Sequence, residues 1–358
     1  MRAWILDSVG ERVRVDEVAE PSPRGGGAVI EVLAAYVPAY TEVVARGERG
    51  PVPTPLVLGP GCVGRVVSVA DDVFNVEPGD VVLDLALLTS GESEDPEEIL
   101  IGWTGVGGRG VATGKTVAMQ KMWRDGVFAE RALCPKETLM KLPGAERYPR
   151  PERLAFLPWL AIAGEGMNAT GLQPGGTATI IGATGQLGAA ATLIALASGA
   201  GRVVAVGRNA EVLKRLGELD SRVVPVAMTG NRSDDAAAIA EAARGGADVV
   251  LDALGAVPDA TPTMAGYDSL RNGGTMVLIG GVRQDLAIPY GDVMRRRLTL
   301  RGSWMSGPAT ALKMWRMVES GLIDLGAIDV RTVGLDDPTG ALDLAAATKG
   351  PAFVALVP

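Results

Sequence analysis

The chain has 358 residues, 47% of them hydrophobic and 21% charged, and a net charge of −8. That composition supports two packed domains, excludes wholesale disorder, and gives a nucleic acid no long basic run to hold. Histidine is absent, which removes the commonest general base and metal ligand and so excludes a Ser-His-Asp or Cys-His hydrolase and any zinc site that uses His.

Asp7 comes too early for a secretory apolar region, so no leader is expected. The first part of the chain reads as β-rich. Arg12 to Val18 alternates, Ala28 to Leu33 is a short apolar run, and Val63 to Val69, Asp80 to Leu83 and Val127 to Leu133 add strands between Gly- and Pro-rich turns. Two cysteines, Cys62 and Cys134, are too few for a disulfide framework or a Cys-only zinc site and fit a reducing cytoplasm. Residues 89–125 are rich in Gly and charge and read as a long loop or lobe. No charge occurs from Gly166 to Gly201. Internal glycines make that stretch a buried strand, turn and helix rather than a membrane span.

The pattern then changes. Thr177–Ile181, Arg202–Val206, Val223–Val226, Asp248–Asp252, Thr275–Ile279 and Leu298–Gly302 are strand candidates. Helical stretches separate several of them, including one from Asp234 to Arg244 with Ser233 or Asp234 as its N-cap. Such alternation predicts an α/β fold with a doubly wound parallel sheet. One helix follows Pro308. Two late strands, Ile328–Val333 and Ala352–Leu356, are available to rejoin the first domain. The expected division is a β-rich domain over 1–155, completed by 308–358, and a dinucleotide-binding domain over 156–307.

The strongest chemical signal is Ala183-Thr184-Gly185-Gln186-Leu187-Gly188, a variant of G-x-G-x-x-G between a strand and a helix. Gly185 lets the backbone approach a pyrophosphate, Gly188 lets helix and strand pack, and the new helix supplies free N–H groups. An NAD site places an acid at the end of the second strand. Here Gly207 stands in that place, with Arg208 and Asn209 after it. A missing carboxylate leaves room for a 2′-phosphate, which a guanidinium can pair, so NADPH is the expected cofactor. The bland alternative is that Arg208 is a surface residue.

With these features in place, the chain resembles the medium-chain dehydrogenase/reductase superfamily almost end to end. The resemblance rests on Pro55–Gly59 with Val63–Val67, Phe74–Val82, Asp125–Glu130, Gly171–Gly175, Leu251-Asp252-Ala253-Leu254-Gly255 and Val277-Leu278-Ile279-Gly280-Gly281, in order. It implies a β-rich GroES-like catalytic domain, a Rossmann domain, an active site in the cleft between them, and a homodimer. Ala253, Leu254, Gly255, Gly280 and Gly281 are then cofactor-side residues. The departures matter as much. Pro38 replaces the Cys, and Pro60-Gly61 the His-Glu, of the zinc enzymes, and no four-cysteine lobe exists within 89–125. The chain therefore resembles the zinc-free branch of quinone oxidoreductases and enoyl reductases, which send hydride from NADPH to an activated double bond or quinone, with no metal.

Conjugate reduction needs a donor for the oxygen that gains charge. Tyr40, in Tyr36-Val37-Pro38-Ala39-Tyr40-Thr41-Glu42, is the candidate catalytic donor; a structural tyrosine with a satisfied hydroxyl is the alternative, and Tyr36 a weaker candidate. Cys62 reads as a buried inert thiol, and Trp159 and Trp304 as either cleft lining or core. Segment 89–125, with Trp103 and Trp123, is either a lid or a solvated insertion. The partner is a small molecule. Two rivals stand beside this reading: a zinc-free alcohol dehydrogenase or ketoreductase, and a non-catalytic NADPH-binding protein.

Overall fold

A computed structural model describes residues 1–91, 94–104 and 110–358. It resolves into two compact units, one of residues 1–158, 328–348 and 353–358, the other of 159–327 and 349–352.

The first unit is β-rich. Its central strand, Gly27–Val37, is almost continuously apolar because nearly all of its side chains, on both faces, are buried, and it is paired along both edges. Cys62–Val69 runs antiparallel along one edge; Arg131–Pro135 and then Ala352–Leu356 share the other. Val354 faces Val37 in that last pairing, with Asp329–Val333 outside it. The core gathers Ile30, Leu58, Val82 and Phe128 around Trp4. Trp4 meets Phe128 edge-on at 5.2 Å, and its indole N–H donates to the Leu335 carbonyl at 2.9 Å.

The second unit is a six-stranded parallel sheet. Across it the strands run Val223–Ala227, Arg202–Gly207, Thr177–Ile181, Ala247–Asp252, Leu270–Leu278 and Thr299–Gly302. Numbered within the sheet this is the order 3-2-1-4-5-6 of a doubly wound dinucleotide fold. The uncharged stretch before Gly201 becomes the end of the Leu157–Thr170 helix, the Thr177–Ile181 strand and the Gln186–Ala197 helix. Among the described residues no helix is long and apolar enough to cross a membrane.

Several details differ from the sequence reading: the tail has a second helix, Pro338–Ala347, and the strand expected over Val127 to Leu133 forms at Arg131–Pro135. The helix over Arg232–Ala242 is capped by Asn231, whose side chain accepts from the N–H groups of Ser233 and Asp234. Helix Pro308–Glu319 groups with the second unit: Lys313 donates to Asn168 at 2.6 Å, and Met314 fills the space beside Gly164 on the Leu157–Thr170 helix. Within 89–125, the hairpin of Leu87–Thr89 with Glu98–Leu100 and the helix Gly114–Met122 are formed; 92–93 and 105–109 lie outside the described residues.

Candidate active site

In the second unit, three turns meet at the carboxyl ends of neighbouring strands. The first follows Thr177–Ile181. Both Gly182 and Ala183 donate backbone N–H to Val206, at 3.0 and 2.9 Å, and Gly185 donates back to Gly182 at 3.0 Å. The left-handed residue is Gly182, at φ +81°, one place before the position expected from Ala183. A side chain there would also press on Ala253 and Leu254. Gly188 lets its helix touch the Gly182 carbonyl and Ala183 Cα, whereas a Cβ on Gly185 would meet only the Gly182 oxygen, at 3.5 Å. Open space at Gly185, where the Gln186–Ala197 helix begins without a side-chain cap, is what a bound phosphate group requires. Gln186 turns its amide inward and donates to Ala352 at 3.2 Å. Leu187 is half-buried.

The second turn is Ala253-Leu254-Gly255 and the third is Gly280-Gly281. Ala253 donates to Ile181 and Gly281 to Leu254, both at 2.9 Å. Asp252 fixes the second turn to the helix Thr261–Asp268, a role the sequence did not reveal. It is buried; one carboxylate oxygen accepts the Leu254 N–H at 3.0 Å and the other the Thr263 hydroxyl. Burial raises its pKa, and those two hydrogen bonds oppose the shift. The motif around Asp252 was visible, but not that its carboxylate points inward.

Gly207 ends the second strand, and a Cβ on it would lie 2.5 Å from the Thr184 side chain. Arg208 is exposed and has no carboxylate partner among the described residues. Asn209 caps the Ala210–Gly217 helix, accepting the Val212 N–H at 3.1 Å.

Tyr40 lies in the first unit, at the start of the short Thr41–Ala45 helix, which Thr41 anchors to the Pro38 carbonyl at 2.7 Å. The phenol is half-buried. Trp103 meets it edge-on at 5.6 Å, and the Arg49 guanidinium covers its face at 4.2 Å. Burial raises the Tyr40 pKa; Arg49 works against that rise. Tyr36 is pushed well up by its own burial.

A catalytic zinc does not fit these residues. Pro38 and Pro60 offer no side-chain ligand atoms. Gly61 sits at φ +139° with its Cβ position 2.7 Å from the Asp84 carbonyl oxygen, so a ligating side chain has no room there. Cys62 and Cys134 are buried, and burial raises both thiols well above their ordinary pKa, as for inert core cysteines. Among the described residues no three His, Cys, Asp or Glu side chains gather as a metal site.

Comparison with known proteins agrees with the two-domain fold, although several of the names it returns are those of zinc-binding enzymes. The alcohol dehydrogenase GroES-like domain matches residues 25–144, and the zinc-binding dehydrogenase family matches 185–320. A protein of Mycobacterium tuberculosis named a probable zinc-binding alcohol dehydrogenase is 28% identical over 358 residues, covering 98% of this chain and 86% of its own length. Acryloyl-coenzyme A reductase of Metallosphaera sedula is 27% identical over 79% of this chain and 77% of its own. A crystal structure from Sinorhizobium meliloti with NADP bound, assigned to the zinc-binding dehydrogenases, has a TM-score of 0.81 at 23% identity and covers 100% of this chain and 99% of its own. These matches define a two-domain oxidoreductase, GroES-like in its first part and Rossmann-like in its second. The chain belongs to the medium-chain dehydrogenase/reductase superfamily.

Proposed function

We propose that this oxidoreductase uses NADPH and, without zinc, reduces an activated double bond or a quinone. The observation that carries the reading is the closed position at Gly61, in the Pro60-Gly61 pair that stands where the zinc enzymes have His-Glu. Without a Lewis acid, an alkoxide is poorly stabilised at neutral pH, whereas an enolate or phenolate needs only hydrogen-bond donors. The match to the zinc-binding family runs over residues 185–320, a stretch with neither Cys nor His. The acryloyl-coenzyme A reductase relative supports reduction of a double bond.

Each residue then has a task. N–H groups at the start of the Gln186–Ala197 helix hold the diphosphate, and Arg208 pairs with the 2′-phosphate. Turns Ala253–Gly255 and Gly280-Gly281 flank the rest of the dinucleotide. When bound, NADPH supplies the hydride. The Tyr40 phenol donates to the substrate oxygen as it gains charge and returns a proton.

The assembly we infer is a cytoplasmic homodimer. Among the described residues the sheet's outer strand Thr299–Gly302 has one unpaired edge, and Tyr290, Met294 and Trp304 near it in sequence are exposed. Two buried free thiols suit a reducing compartment.

The alcohol-dehydrogenase name of the Mycobacterium tuberculosis relative favours a second reading, redox at a carbonyl. Initial rates with NADPH on an enone and on the matching saturated ketone, using protein assayed for metal, separate the two. Faster enone turnover on zinc-free protein supports the first. Faster ketone turnover, or stoichiometric zinc, overturns it.

A further inference from the structure

We propose that the first unit also binds a small amphipathic anion, an acidic head on an apolar body, in a cavity of its own. The cavity has a volume of about 760 Å³, within the roughly 300–1,000 Å³ usual for small-molecule sites. None of the residues assigned above to cofactor or substrate lines it.

Its floor is apolar. Strand Arg2–Leu6 pairs antiparallel with Leu56–Val57, setting Ile5 opposite Val57, and Val18 packs onto the same small cluster. Its rim is charged, and the charges do not balance. Arg14 pairs with Asp7, Arg131 with Glu20 at 2.9 Å and Arg124 with Asp125 at 3.2 Å. Those pairs consume every carboxylate on the rim. Arg24 and Lys121 remain, with no carboxylate partner among the described residues.

Both cations line the same cavity. The Arg24 guanidinium stacks 4.8 Å from the centre of the Trp123 ring, and Lys121 lies two residues before that tryptophan. Stacking engages the face of a guanidinium and leaves its N–H edge free for a carboxylate or phosphate. Two uncompensated positive charges on an otherwise acidic chain, of net charge −8, focus an anion at this rim. The apolar floor then covers the body that the head carries.

Decanoate and decyl phosphate, titrated separately into the full chain by calorimetry, test this, with decanol and inorganic phosphate as half-ligands. The expected result is saturable binding of one or both anions, about tenfold or more tighter than either half-ligand and weakening with salt. The variants R24E/K121E and K121E alone should lose about tenfold or more in affinity, whereas R24K/K121R retains binding. Melting curves and NADPH titration check that each variant is folded. No saturable binding of either anion, equal binding of decanol, or undiminished affinity in folded K121E overturns the proposal.

Discussion

Thr184 occupies the space that a side chain at Gly207 would need: a Cβ on Gly207 would lie 2.5 Å from its Cγ2 and 2.8 Å from its Oγ1. The glycine at the end of the second strand is thus a packing requirement as well as a missing acid. Overpacking of this kind costs about 1–3 kcal/mol, so G207A and G207D should both be destabilised by that order in denaturant unfolding. G207D should bind NADH no better than the parent does. Adding T184A to G207A removes the two closest atoms and should recover part of the loss, a non-additivity that a double-mutant cycle reads directly. A stable G207D that prefers NADH would refute the packing account.

Arg208 is exposed and unclaimed by any described carboxylate, so its substitution disturbs no ion pair of the fold. R208E should weaken NADPH by about tenfold or more and change NADH far less, because only NADPH carries the 2′-phosphate. Calorimetry with both nucleotides decides it. Equal losses for the two would assign Arg208 a general electrostatic effect instead.

Much of the second unit was legible because short apolar runs such as Thr177–Ile181 and Arg202–Val206 are followed at once by glycine, and such runs leave few alternatives to a buried parallel sheet. The Asn231 cap was missed because Asn231, Ser233 and Asp234 all suit an N-cap, and sequence alone does not rank them. Helix Gly114–Met122 has no apolar stripe, only Thr116 being buried, so periodicity could not reveal it. Gly207 was legible as an absent acid but not as a packed glycine, since Thr184 reaches it from a different strand end. The same limit hid Arg49 and Trp103 around Tyr40, contacts that only the fold brings together.

Asp252 holds the Leu254 N–H and the Thr263 hydroxyl with separate oxygens. D252N keeps an acceptor for Leu254, whereas D252A leaves that N–H without one, at a cost of about 1–3 kcal/mol. NADPH affinity and stability should therefore fall more in D252A than in D252N. Identical effects of the two would mean that the turn does not depend on this bond.

Asp84 is buried in the first unit, and desolvation raises its pKa from 3.8 to about 6, against the pull of Thr138 and the Ala86 N–H. Its folded pKa lies above its unfolded one, so its favourable contribution is complete below the unfolded value, near pH 4, and lost as pH rises through about 6. Above that the buried carboxylate costs on the order of 3 kcal/mol. D84N should therefore stabilise the protein at pH 7 and make little difference at pH 4, as denaturant unfolding at the two pH values would show. Equal effects at both would place the change in packing rather than ionisation.

For Tyr40, burial raises the phenol above its ordinary 10.0, so it stays protonated and able to donate throughout the neutral range. Turnover of an enone should be level across neutral pH and fall only on the alkaline side of 10.0. Arg49 favours the phenolate, so R49Q should move that alkaline limb higher still. Y40F removes the donor and should lower kcat by about 10²–10⁴ with NADPH affinity retained. A tyrosine that only packs against Trp103 would behave otherwise: Y40F would keep its kcat, and R49Q would leave the pH profile where it was.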